Sequence, residues 1–406
     1  MCISECCAAA VTSSSPDVPA RGEEGARGRT GVDPASRAAL GSAAAAMAAS
    51  PESAGAAVRP SQIRLARRHV LAGAAGVAGT LAWSRMAWAE SSPMVHATAD
   101  ACSDLTPALI GGPVPAGASR LTIRWLGCTN YELAYRGQVI LLDTYYDRGP
   151  RNRSIGFMAE QVRRANAIFL GHGHGDHMSD AVQVAAQTGA TVIGAPVTME
   201  RAFSGGLPTS QGVTVTGRGG ELLRFNGFTV EPILARHSTL SPTVLTAFRS
   251  AITTVIGSPT PEVAAIEAAI FAKGTSDPRV ITEGTIAYLF TFDSGFKLIY
   301  RNSAGPITEF EREAMARVGR TDVAIVAYIG QYVAEAQIAV TLPLIELYNP
   351  DVFLPAHHDE IAGTFLDIGT EPLFMAIRDT RPTTTSIAPL YRTPVCLNVA
   401  ARKHRG

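Results

Sequence analysis

Six of the chain's nine histidines fall at three points: His172, His174 and His177 together, His237 alone, and His357 beside His358. The densest point is Leu170-Gly171-His172-Gly173-His174-Gly175-Asp176-His177. Residues two apart on an extended segment share a face, so His172 and His174 are placed to bind one metal ion. Asp176 and His177 fall at the start of a predicted helix and point elsewhere, toward a second ion about 3.5–4 Å from the first. Gly173 and Gly175 read as positions that allow tight or positive-φ backbone between the ligands. Imidazole with carboxylate suits Zn2+, one ion or two, and the same set holds manganese or iron.

Each histidine point follows a predicted strand, and loops at strand ends are where α/β folds place their sites. Residues 121–126, 131–135 and 139–144 read as three short strands joined by tight turns. Residues 155–164 have helical spacing, 167–170 a short buried strand, 181–188 a helix and 191–194 a strand. A second meander is expected over 213–216, 222–224 and 228–234. Residues 285–292 and 296–300 form a hairpin closed by Asp293-Ser294-Gly295. Helices over 310–318 and 334–348 alternate with strands over 323–328 and 352–354. This order predicts two sheets packed together with helices outside.

The chain has 406 residues, 46% of them hydrophobic, with 35 basic against 35 acidic side chains. An apolar fraction of that size builds a core, which excludes disorder of the whole chain. Zero formal charge argues against nucleic-acid binding by bulk electrostatics, and no apolar run is long enough for a stable membrane span. Residues 1–89 hold nine arginines and six acids, leaving 26 basic against 29 acidic residues from Glu90 on. No pair of the six cysteines is spaced C-x-x-C, which disfavours a zinc ribbon or a thioredoxin-like motif. Cys102, Cys128 and Cys396 lie beyond the first 89 residues and allow one disulfide, with the pair left open.

Residues 1–60 read as a disordered leader, with Met47 an alternative start. Arg67-Arg68, the uncharged run 70–84 and Ala87-Trp88-Ala89 have the order of a secretory signal, over about 60–89. Arg67, Arg68 and Leu71 resemble the twin-arginine type, although Ala66 and Val70 depart from its usual pattern. This predicts use of the twin-arginine export machinery, cleavage near Glu90 and a periplasmic or secreted protein. Residues 90–120 read as a linker, 121–395 as the folded domain with a helical insertion at 240–281, and 396–406 as a tail.

The H-x-H-x-D-H motif at 172–177 resembles that of the metallo-β-lactamase superfamily of hydrolases, most closely its lactonase and phosphodiesterase-like branch. The resemblance covers roughly 121–390 and includes the opening meander ending in Leu141-Leu142-Asp143-Thr144. It implies a four-layer αβ/βα sandwich and a metal-dependent hydrolase acting on an ester, lactone or phosphodiester through metal-activated water. It implies His172, His174 and His237 on the first ion, and Asp176, His177 and His357 on the second. Asp176 would orient the water and take its proton. His358 is the alternative to His357, or else a supporting or substrate contact.

Two features depart from that family. Aligning Gly305 with the end of the usual bridging turn puts Ser303 where an Asp is expected, which leaves one or two metals open. Asp293 belongs to the hairpin turn and reads as structural. Flavin-linked di-iron proteins of the same fold carry Glu at the position of His174, so that histidine favours the hydrolase. A non-catalytic exported metal-binding protein is the third reading, motivated by Ser303. The insertion follows His237 directly. Leu245, Phe248, Ile252, Val255, Val263, Ile266, Ile270 and Phe271 form a stripe in it that either packs on the sandwich or lines an entrance for a small-molecule substrate with an apolar portion.

Overall fold

The computed structural model describes residues 102–400, other than 240, 242, 244–245, 247–249, 251–252, 255–256, 329–333 and 360–368. The export signal, Met47 and the apolar positions Leu245, Phe248, Ile252 and Val255 lie outside the described residues. No helix of the described residues is long and apolar enough to cross a membrane.

Among the described residues, fourteen strands form two seven-stranded sheets. The first holds β1 (Arg120–Trp125), β2 (Tyr131–Tyr135), β3 (Gln138–Leu142), β4 (Ala167–Phe169), β5 (Thr191–Gly194), β6 (Gly212–Thr214) and β14 (Pro394–Asn398), in the order β14-β1-β2-β3-β4-β5-β6. The second holds β7 (Leu223–Phe225), β8 (Phe228–Ala235), β9 (Thr285–Phe292), β10 (Lys297–Arg301), β11 (Val323–Ala327), β12 (Val352–Ala356) and β13 (Thr385–Ser386), in the order β13-β12-β11-β10-β9-β8-β7. Each sheet is antiparallel at one end and parallel at the other. β14 through β3 pair antiparallel and β3 through β6 parallel. β7 through β10 pair antiparallel and β10 through β13 parallel.

Period-two alternation sorts the side chains into layers. On β3, Ile140 and Leu142 join the core between the sheets, while Val139 and Leu141 face the outer helices. On β11, Val323 and Ile325 face inward while Ala324 and Val326 face outward. Helices Ala181–Thr188 and Pro196–Ser204 cover the first sheet through Val184, Ala185, Met199 and Ala202. Helices Glu309–Val318, Ala334–Tyr348 and Glu371–Thr380 cover the second through Met315, Ile345, Leu373 and Ile377. The result is the expected four-layer αβ/βα sandwich.

Several local expectations differ. Residues 155–164 form one 3-10 turn, Ala159–Gln161, instead of a helix. The N–H groups of Arg163 and Arg164 both donate to the Leu109 carbonyl (2.7 and 3.1 Å), which removes the donors a helix would use. The supposed linker is fastened down. Ala108 and Leu109 are fully buried, with their N–H groups on Glu132, and Cys102 is disulfide-bonded to Cys396. Cys396 itself sits in β14, paired with β1, where a tail was expected. Helices Pro196–Ser204 and Glu371–Thr380 were not anticipated.

Candidate metal centre

Most of the predicted metal ligands gather with Asp143, Asn302 and Cys128 at one rim, beyond the C-terminal ends of the strands. Asp143 follows β3, His172 follows β4, His237 follows β8, Asn302 follows β10 and His357 follows β12. Cys128 lies in the turn between β1 and β2. Hydrogen bonds tie the two sheets together here. His357 N–H donates to the Cys128 carbonyl (2.8 Å), Tyr288 Oη to that of Leu170 (2.8 Å) and Ile286 N–H to that of Gly171 (2.8 Å).

His172, His174 and His237 form one set, their ring centroids 4.6 to 4.8 Å apart and the planes steeply inclined. Each offers a nitrogen within 4.8 Å of the others. Two of the rings are held from behind: His172 Nδ1 lies 3.1 Å from Asn302 Oδ1, and His237 Nδ1 lies 2.6 Å from the Ser238 carbonyl. A ring whose Nδ1–H is held this way presents Nε2 as a lone pair. His174 differs, because its buried Nδ1 has no hydrogen-bond partner. Burial holds His172 and His237 well below their ordinary pKa and pushes His174 down to about 4. At neutral pH all three are therefore uncharged, the form that binds metal.

The second set adjoins the first. Asp176 Oδ2 lies 3.3 Å from Nε2 of both His177 and His357. Charge-assisted hydrogen bonds are usually about 2.7–2.9 Å. Two donors each about 2.0–2.1 Å from one tetrahedral ion are separated by roughly 3.3 Å. Both Asp176 oxygens and both His357 ring nitrogens are buried without a hydrogen-bond partner. Leaving such groups unsatisfied costs free energy that a bound cation would recover. His177 sits well above its ordinary pKa: burial opposes the charge, but Asp176 and Asp143 outweigh it. Asp176 lies well below its own, because His177 and His357 outweigh burial. The described residues thus fit two cations, with Asp176 beside both sets.

The structure also shows supporting residues to which the sequence had assigned no role. Asp143 accepts from Gly171 N–H and from Thr129, Tyr300 and Asn302 side chains, all at 2.7–2.8 Å, and lies 2.7 Å from His177 Nδ1. Buried Arg301 pairs with Glu311 and donates to the carbonyls of Ser303, Gly305 and Pro306, which shapes the turn after β10. Asn302, one residue before Ser303, is the member of that turn that reaches the histidines. Ser303 accepts from Ser238 N–H (2.9 Å) and donates to Ser238 Oγ (3.3 Å). Among the described residues, three of the six non-glycine residues with positive φ are Cys128, Asp143 and His357 (49°, 54° and 65°), all at this rim.

The glycines work differently from the expectation. Neither Gly173 nor Gly175 has positive φ. Close packing requires them instead: a Cβ on Gly173 would lie 2.8 Å from Thr275, and one on Gly175 2.6 Å from the Phe271 backbone. The insertion therefore braces the histidine loop, and Thr275 N–H donates to the Gly173 carbonyl (2.7 Å). Helix Pro261–Phe271 is anchored by buried Glu267 on Arg151, and it turns Ile270 toward Gly149. Ile266 is half exposed.

His358 joins neither set. Its ring stacks on Trp125, with centroids 4.3 Å apart, and burial pushes its pKa down to about 4. Asp293 lies in the β9–β10 turn, exposed and paired with Arg136 (3.2 Å).

No protein-family model matches the chain. Over 120 residues it is 36% identical to a UPF0173 metal-dependent hydrolase of Brucella ovis, which is 29% of this chain and 48% of that protein. Over 124 residues it is 32% identical to a UPF0173 metal-dependent hydrolase of Agrobacterium fabrum, again 29% and 48%. The chain spans about half the length of these relatives. Among solved structures, the metallo hydrolase Igni18 from the archaeon Ignicoccus hospitalis KIN4/I gives a TM-score of 0.47 at 15% identity, covering 69% of this chain and 99% of that one. The chain is a two-sheet αβ/βα sandwich, similar over 120 residues to proteins named metal-dependent hydrolases.

Proposed function

We propose that this protein is an exported metal-dependent hydrolase that cleaves an ester, lactone or phosphodiester bond. The observation that carries the reading is the pair of adjoining buried donor sets, with Asp176 Oδ2 spaced 3.3 Å from both His177 and His357. His172, His174 and His237 would hold one cation and Asp176, His177 and His357 the other, with Zn2+ best suited to the donors. A divalent cation bound there supplies Lewis acidity, which polarises the substrate oxygen and lowers the pKa of water, to about 7 for zinc. Asn302 and Asp143 fix the orientation of the His172 and His177 rings. Asp176 Oδ2 faces the two histidines, and its Oδ1, without a hydrogen-bond partner, is left to orient the attacking water and take its proton.

Metal-stripped protein should be inactive on a panel of p-nitrophenyl esters, lactones and bis(p-nitrophenyl) phosphate, and zinc should restore hydrolysis of at least one class. Activity untouched by chelation would refute the reading. A disulfide between Cys102 and Cys396 supports export, since such bonds persist in oxidising compartments. Export is tested by replacing Arg67 and Arg68 with lysine, which should leave the chain in the cytosol. The insertion that braces the histidine loop through Thr275 and Phe271 is the proposed entrance for a substrate with an apolar portion, and Ile266 is an exposed apolar residue on it. Ile266→Ser should lower kcat/KM for long-chain esters more than for short ones, and an unchanged ratio would remove that part of the proposal.

A further inference from the structure

The turn between β1 and β2 carries a thiol into the second donor set. Sγ of Cys128, a carboxylate oxygen of Asp176 and a ring nitrogen of His357 lie within 4.8 Å of one another, and all three residues are buried. The turn is fixed in that place from several sides. Cys128 adopts φ of 49°, its N–H donates to Asp359 Oδ1 (2.7 Å), and its carbonyl accepts from Trp125 Nε1 and from His357 N–H (both 2.8 Å). The same peptide unit thus sets the position of the thiol and of the histidine. Both Asp176 carboxylate oxygens and both His357 ring nitrogens are buried without hydrogen-bond partners.

From this juxtaposition we propose that Cys128 is a ligand of the second cation, bound through sulfur together with Asp176 and His357. The proposal rests on the metal-centre reading above. The residue at the expected bridging position does not supply a negative donor, because Ser303 is neutral and engaged with Ser238. Without Cys128, Asp176 is the single anion of the second set against a dication. A thiolate brings that set to neutrality. On binding, the S–H bond gives its proton to solvent and the sulfur lone pair forms the bond to the metal, with no change of oxidation state. Thiolate also biases the site toward zinc, cobalt or cadmium over magnesium or manganese.

Cobalt substitution tests this with a readout independent of turnover. The full chain, stripped and reloaded with Co2+, should bind two equivalents and show a thiolate-to-cobalt charge-transfer band. The zinc form should show one sulfur at about 2.3 Å by X-ray absorption. Cys128→Ser should lose the band and bind the second equivalent at least about tenfold more weakly while keeping the first. Two bound cobalt ions with no band and no sulfur scatterer in the wild type would overturn the proposal and leave the metal centre standing. Absence of any bound cobalt would overturn both. If Cys128→Ser fails to fold, the wild-type spectra alone decide.

Discussion

Asp143 Oδ2 lies 2.7 Å from Nδ1 of His177, on the side of the ring opposite the Nε2 that faces Asp176. A carboxylate behind an imidazole fixes its tautomer and raises its basicity, so the pair presents His177 to a cation in one orientation. Asp143→Asn should weaken the second metal equivalent by about 10–100-fold with little change in the first. Competitive titration against a metal-binding dye measures both. Equal weakening of the two equivalents would mean that Asp143 only maintains the loop.

His172→Ala or His174→Ala should remove most bound metal. Asp293→Asn should leave it unchanged, since its ion pair with Arg136 is exposed and such pairs are worth at most about 1 kcal/mol. Elemental analysis of the purified variants separates these outcomes. Loss of metal from Asp293→Asn would show that the hairpin carboxylate takes part in the site.

Asp359 is buried, lies 2.6 Å from Arg148 and accepts the Cys128 N–H. Burial opposes its charge, but Arg148 and His358 outweigh that and hold its carboxyl below the ordinary value. A depressed folded-state pKa contributes stability that is present above the unfolded value, about 3.9, and lost as pH falls through the folded one. Asp359→Asn leaves Arg148 buried without its partner and should cost about 3–5 kcal/mol at pH 7, with a smaller difference from wild type below about pH 4. Denaturant melts at the two pH values check the sign. A constant difference would show that the charge is not the cause.

Gly175→Ala should destabilise the histidine loop by about 1–3 kcal/mol and lower metal occupancy, because the new methyl meets the Phe271 backbone at 2.6 Å. Gly189→Ala is the comparison: its φ of 74° is unfavourable, but nothing lies within 4 Å of the added carbon. It should lose stability without losing metal. Thermal melts and metal content of both variants give the answer, and equal metal loss would reject the packing explanation.

Much of this was legible in the sequence because it depends on local pattern. Short apolar runs at 139–144 and 323–328 marked β3 and β11 as strands, and the positions of His172, His174, His237 and His357 just after strands marked the rim. The two unanticipated helices both carry proline in the first turn, Pro196 and Pro372, where it favours a start although it reads as a breaker. β14 was hidden because its partner β1 lies some 270 residues earlier, so no local signal announces the pairing. Asn302 and Cys128 were hidden for the same reason: each reaches the histidines only through packing of the two sheets. Gly173 and Gly175 carried a signal that pointed to the wrong cause, since the atoms that exclude a side chain there belong to the insertion about 100 residues on.

The most direct test of the metal centre is the metal content of the stripped and zinc-reconstituted wild-type protein, measured beside hydrolysis of the ester, lactone and phosphodiester panel. Two zinc ions per chain, with hydrolysis appearing in step with occupancy and absent in His172→Ala, is the predicted result. A folded wild-type chain that takes up no zinc, or that hydrolyses its best substrate equally well without it, would contradict it.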